Sequence, residues 1–367
     1  MILQEHNTEE ILTIVQEHPT VLILCPNYED RSVAFPNLIR DNLFTSENSH
    51  IYPEIFYMQN ETENSAILDA LKYQRFTELQ SSFHLEENCY HRINFPDNFS
   101  SSELRTAIAS SLEHYMQSCE SFHIIIDISA MPRSIILEFC SAIATLKETA
   151  EFQCAVDRVF FVYVSPESYS GVNFSQDIGL PYGFFSGEPL YKNACPLVHS
   201  IIFPGREGHE STLVLNSLTA GCIEHHSTVY FMIESLQYLE SLRFMRANMS
   251  ILNSHNSTEE YYCSLSDGIR TLSERFDAEM VALRRNGLSE SSLYVIAPLY
   301  SKIMLPAAYF LLMKMKRIFP KVDVEISIMK GFQYVSSYSL GAGDTHVYEL
   351  NQEEFNAPLG PEQESKK

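Results

Sequence analysis

This sequence predicts an α/β fold of two lobes, on three observations. Short, continuously apolar strands alternate with helical segments, the pattern of a parallel sheet covered on both faces. The length of 367 residues exceeds one ordinary domain and points to about two. The second half of the chain then repeats, in order, the landmarks of the first.

The first lobe opens on Asn7 with Glu10 three residues later, a helix start that gives Ile11, Leu12, Ile14 and Val15 one apolar side. Val21 to Leu24 reads as a strand, Val33 to Ile39 as a helix, and "IYPEIFYM", ending at Met58, as a second strand. After Ser102, with Glu103 in the first turn, Leu104, Ile108, Leu112 and Tyr115 fall on one helix face. "HIIIDIS" (123–129) is a strand, "SIILEFCSAIATLKE" a helix and "RVFFVYV" (158–164) a strand. The Gly- and Pro-rich stretch 171–195 has no period and reads as a linker. The chain thus divides into Rossmann-like lobes at 1–170 and 196–350, with a disordered tail at 351–367.

The repeat is visible in the residues. "ILCPNYEDRS" has its counterpart in "IIFPGREGHES", which lays Pro26 over Pro204, Glu29 over Glu207 and Arg31 over His209. "IFYM" matches "VYFM" at 229–232, the helix from Leu104 matches Leu265, Ile269, Leu272 and Phe276, and "HIIIDIS" matches "LYVIAPL" at 293–299. Both last strands run into Ser-Tyr-Ser, at 168–170 and 337–339. An internal duplication is the expectation.

Lys and Arg number 25 against 47 Asp and Glu, a net charge of −22, which repels nucleic-acid phosphates and argues against bulk DNA or RNA binding. A hydrophobic fraction of 45% is that of a folded chain. The eight cysteines form no CxxC or zinc-ligand spacing and read as reduced, buried thiols of a cytoplasmic protein. The N-terminus has neither the basic nor the apolar region of a signal peptide. The most membrane-like stretch, 294–314, is broken by Pro298, Ser301, Lys302 and Pro306, leaving an apolar run of 11 from Ile303, short of the roughly 18 to 20 that a span needs. No membrane association is expected.

In an open parallel sheet, ligands bind beyond the carboxyl ends of the strands. Asn27, Glu29, Asp30, Arg31 and Ser32 follow the first strand, Asp127, Ser129 and Arg133 the fourth, and Tyr169 the fifth. Their counterparts in the second half are Glu207, His209, Lys302 and Tyr338. Carboxylate, hydroxyl and guanidinium around a helix N-terminus suit a phosphate or a ribose hydroxyl, with Arg133 as a bidentate donor and the tyrosines as stacking platforms for a base. Read structurally instead, Asp30 and Ser32 cap a helix and Arg31 pairs with Asp127.

The stretch "IDISAMPRSIILEF" resembles the fourth-strand turn of CRISPR-associated Rossmann-fold (CARF) sensor domains. Asp127, Ile128, Ser129 and Arg133 match its Asp-apolar-Ser/Thr-Gly-Gly-x-Lys/Arg pattern, while Ala130 and Met131 stand in place of the two glycines that let backbone approach a ligand. The related SAVED domains look like two such lobes in one chain. The resemblance implies a nucleotide-type ligand, a separately encoded effector as partner and a role in antiviral defence. In the second copy Ala297 replaces the Asp, and Lys302 follows five positions later.

Two other classes compete. Glu29, Asp30 and Asp127 are candidates for a catalytic Mg²⁺ site of a phosphoryl-transfer or phosphohydrolase enzyme, with Arg31 or Arg133 stabilising charge on phosphate. A structural subunit of a larger complex needs no ligand at all and predicts a large exposed apolar patch.

Overall fold

The computed structural model describes residues 1–43, 50–60, 66–85, 89–95, 102–169, 178–192, 195–205, 208–220, 222–232, 238–252, 258–263, 265–286, 292–331 and 339–356. The chain divides into an N-terminal unit, residues 4–173 with 333–350, and a C-terminal unit, residues 1–3, 174–332 and 351–367.

In the N-terminal unit β1 (Leu3–His6) leads into α1 (Thr8–Glu17). Asn7 caps that helix by accepting the Glu10 N–H, and the Glu10 side chain returns to the Asn7 N–H, the reciprocal box its spacing predicts. There follow β2 (Thr20–Leu24), α2 (Ala34–Leu43), β3 (Ile51–Asn60), α3 (Ala66–Ser82), β4 (Tyr90–Phe95), α4 (Ser102–Ser118) and β5 (Phe122–Asp127). Next come α5 (Arg133–Leu146), α6 (Ala150–Ala155), β6 (Val156–Val164) and β7 (Ser168–Tyr169). The C-terminal part of the chain adds β14 (Ser339–Leu340) and β15 (Thr345–Leu350).

Among the described residues the main sheet has the order β1-β15-β6-β5-β2-β3-β4. The five strands from β6 to β4 are parallel, and β15 pairs antiparallel with β6. Strands β2 and β5 are buried along their whole length, which is why both read as unbroken apolar runs rather than alternating ones. Leu22, Leu24, Ile55, Ile125, Phe160 and Val162 build the core of one face with Val15, Phe35, Ile39 and Phe76 from the helices.

The C-terminal unit contains β8 (Ile178–Gly183), β9 (Leu197–Phe203), α7 (His209–Thr219), β10 (Glu224–Met232), α8 (Tyr238–Ala247), α9 (Met249–Leu252) and β11 (Thr258–Cys263). It continues through α10 (Leu265–Asn286), β12 (Ser292–Pro298), α11 (Met304–Ile318), β13 (Asp323–Gly331) and α12 (Gln352–Asn356). Its sheet runs β11-β10-β9-β12-β13-β8, with the first five strands parallel and β8 antiparallel to β13. Counted within each unit, both parallel sets follow the order 3-2-1-4-5 of a doubly wound Rossmann-like fold.

Two expectations about boundaries are corrected. The stretch read as a linker supplies β8, whose apolar and glycine residues pair with β13. Part of the stretch read as a tail forms α12, where Phe355 packs edge-on against Phe310 and Glu354 bonds Lys314 Nζ at 2.6 Å. No helix among the described residues is long and apolar enough to cross a membrane.

Candidate functional site

The order of the N-terminal sheet reverses between β2 and β5, so their carboxyl ends open the crevice where such folds take ligands. The two loops there are tied together: Asn27 Nδ2 donates to Ala130 O at 2.9 Å. From this tie the side chains of the loop after β2 diverge: some bond within the loop, Arg31 also reaches β6, and Asp30 reaches α3.

Arg31 turns inward and is only 4% exposed. Its Nε bonds Glu29 Oε2 at 2.5 Å, and its Nη1 reaches the Tyr163 hydroxyl and Val164 O, both at 3.4 Å. Ser32 Oγ donates to Asn27 O at 3.1 Å. Asp30 is exposed and meets Arg75 Nη2 of α3 at 2.5 Å. Neither Asp30 nor Ser32 caps a helix through its side chain, contrary to the structural reading of the sequence.

Asp127, at the end of β5, accepts the Ser129 N–H at 2.9 Å and the Ser129 hydroxyl. Ser129 Oγ in turn accepts the Val164 N–H at 2.8 Å and is fully buried. Both backbone groups of Val164 are thus held, the carbonyl by Arg31 and the N–H by Ser129. Arg31, Asp127 and Ser129, expected to meet a ligand, thus each have protein partners in this arrangement. These three side chains fix the end of β6 to the loops after β2 and β5, because burying a charge or hydroxyl requires partners.

Arg133 is the first residue of α5, half-buried, following Pro132, and no side chain caps this helix. The first N–H groups of such a helix point out of its end with the positive pole of the dipole. Arg133 and Ser134 stand at that end, beside the loop that Asn27 holds.

Each carboxylate considered for Mg²⁺ has a protein partner. Glu29 is on Arg31, Asp30 on Arg75 and Asp127 on Ser129. Among the described residues no group of three or more His, Cys, Asp or Glu side chains is arranged to hold a metal ion.

In the C-terminal unit the corresponding reversal lies between β9 and β12. Gly205 is held there by Ser211 Oγ and by Asn248 Nδ2, each at 2.9 Å. Gly208, with φ of +72°, turns the chain where a side chain would strike Ala247 O at 1.9 Å. His209 begins α7 and is exposed, and Lys302 is half-buried in the turn before α11. Glu207 and Tyr338 lie outside the described residues, as does the side chain of Tyr169, whose backbone pairs with Ser339.

Three residues of this region escape a reading of the sequence. Tyr163 sits inside an apolar strand and shows nothing of its hydroxyl contact. Lys72 and Arg75 of α3 both reach strand or loop ends: Lys72 Nζ bonds Met58 O, and Arg75 bonds Asp30. Their signal is two basic residues at i and i+3 in a chain otherwise dominated by acid.

No family model matches this chain, and no curated protein matches it. Among solved structures it aligns with a protein described as a universal stress protein from Pseudomonas aeruginosa UCBPP-PA14, at 11% identity, covering 85% of this chain and 94% of that one, with a TM-score of 0.20. At that score the likeness carries no argument, and the assignment to the α/β class rests on the strand order.

Proposed function

We propose that this protein binds a nucleotide-type anion at the carboxyl ends of the N-terminal strands and acts as a sensor rather than a catalyst. The observation that carries the reading is the end of α5. A helix without a side-chain cap, opened by Pro132 and headed by Arg133, stands where the strand order reverses. Helix N–H groups with a neighbouring guanidinium are suited to phosphate. The neighbouring acids are paired with other side chains, and among the described residues no group of three acids, His or Cys is arranged to hold a metal, which favours binding over metal-assisted phosphoryl transfer.

The two-lobed, CARF- and SAVED-like reading extends this proposal. It is supported by the common 3-2-1-4-5 order of both sheets and by the antiparallel strand beside the fifth position of each. The five sequence landmarks also fall on equivalent elements, β2 with β9, β3 with β10, α4 with α10, β5 with β12 and β6 with β13. On this reading the lobes descend from a duplication, the ligand is a linear or cyclic nucleotide, and the response passes to a separately encoded effector in antiviral defence.

Thermal unfolding against mononucleotides and cyclic oligonucleotides, with and without Mg²⁺, tests the proposal. A ligand at 100 times its dissociation constant adds about 2.7 kcal/mol to the folded state. The expected result is a metal-independent rise in Tm for one nucleotide class, lost in Arg133→Ala while the Tm of the free protein stays unchanged. No shift with any nucleotide, or an equal shift in the variant, overturns it.

A further inference from the structure

Resting on the reading above, we infer that Asp30 is a built-in placeholder for a phosphate group, and that Arg75 of α3 is the guanidinium a phosphate-bearing ligand takes over. Arg75 was not among the residues its sequence marks for binding. The fold alone brings it to the loop after β2, where it meets Asp30.

The three nitrogens of Arg75 are used unequally. Nη1 is on Glu78 Oε2 at 2.9 Å, one helical turn along. Nη2 is on Asp30 Oδ1 at 2.5 Å, 45 positions away in sequence. Nε is buried and meets no acceptor. The N–H groups of Nε and Nη2 lie on one edge of the guanidinium and form the fork that carboxylates and phosphates bridge. Asp30 occupies one arm of that fork and leaves the other empty.

An empty buried N–H is costly, and a half-used fork is an unusual resting arrangement for an arginine. Asp30 is also a weak occupant. Its side chain is 60% exposed, and pairs with an exposed partner contribute little. A phosphate oxygen pair that displaces the carboxylate takes both arms, adds charge and satisfies Nε. Asp30 is then released to solvent and needs no new partner. The carboxylate imitates the ligand it yields to, which keeps Arg75 oriented in its absence and sets a threshold for binding. Tying this exchange to the loop that also carries Asn27 and Arg31 links phosphate capture to the crevice.

The test is isothermal titration of the full chain with inorganic tripolyphosphate, alongside the nucleotide series above. Asp30→Asn is expected to bind about three- to fivefold tighter than wild type, the scale of an exposed pair removed. Arg75→Gln is expected to bind at least about tenfold weaker, and Arg75→Lys to recover only part of the loss, since a lysine has no fork. Glu78→Gln removes the same charge from the same guanidinium but off the fork, and is expected to bind like wild type. Equal gains in Asp30→Asn and Glu78→Gln reduce the effect to general charge and overturn the placeholder. Nucleotide binding that depends on Arg133, with tripolyphosphate binding indifferent to Asp30 and Arg75, overturns this inference and leaves the sensor reading standing. No binding of either probe by wild type or Asp30→Asn overturns both.

Discussion

Several single residues in this protein carry charge or polarity into places that read as apolar, and they differ in how well partners match them. Glu54 lies within β3, 4% exposed, where Tyr115 donates to Oε1 at 2.5 Å and His91 Nε2 meets Oε2 at 2.7 Å. His123 of β5 lacks that provision: it is 4% exposed and its Nδ1 meets no partner. Burial pushes its imidazole down from 6.5 to about 4; Asp157 opposes the shift, and His18, its ring tilted against this one with centroids 5.0 Å apart, adds to it. Between these values the unfolded chain binds the proton and the folded one does not, so stability falls as pH drops through the window, by on the order of 3 kcal/mol at pH 4. His225, also pushed down to about 4 by burial, contributes with the same sign. Urea midpoints measured from pH 7 to pH 4.5 are therefore expected to fall steeply in wild type and less steeply in His123→Phe. An identical slope in the variant would show that His123 stays neutral on unfolding or charges within the fold. At this scale the sequence marks the polar cluster after β2 but not its directions, because the path of the loop decides that Arg31 turns inward and Asp30 outward.

At the scale of elements, β8 shows how one strand is locked to its sheet. Glu325 of β13 is 4% exposed and accepts the N–H groups of Phe185 at 2.9 Å and Ser186 at 2.8 Å, just beyond the end of β8. Burial raises its carboxyl above the usual range, although Ser186 and the backbone donors oppose this. The space the carboxylate needs is left by Gly183, where an added Cβ would stand 2.4 Å from Glu325 Cδ. Gly183→Ala is expected to drive the carboxylate off its donors and cost about 1 to 3 kcal/mol, the range for leaving a buried polar group unsatisfied. Urea unfolding reads this directly, and an unchanged midpoint would mean that Glu325 relocates without loss. Elements with strong periodicity, such as α4, or with unbroken apolar runs, such as β5, β12 and α11, are legible in the residues. β8 is not: "IGLPYG" contains a proline and two glycines, which weigh against a strand until an edge position makes them tolerable.

At the scale of the whole molecule, the N-terminal sheet takes its antiparallel strand from beyond the C-terminal unit's segment of chain, whereas the C-terminal sheet takes its own from the head of that segment. After β6 the chain goes to β8, which completes the sheet of β13, and after β13 it comes back as β15, which completes the sheet of β6. Glu349 of β15 is held by Arg158 of β6 at 2.5 Å and by His6 of β1 at 2.9 Å. Ending the chain after Asp344 is therefore expected to strip hydrogen-exchange protection from those amides of β6 that face β15, while those facing β5 keep theirs. Retained protection of the amides facing β15 would mean that β15 is dispensable for that sheet. The sequence by itself determined the α/β class, the parallel strands and the polar clusters at their ends, since apolar runs and their spacing follow from burial on both faces. Which strand closes which sheet was left to the tertiary structure. Fourteen positions separate Val164 from Ile178, and 14 separate Gly331 from Thr345, so a local hairpin and an exchange are equally open to the chain. Backbone ladders are alike in both, and only the packing of side chains such as Val347 in one core and the Glu325 lock in the other decides between them.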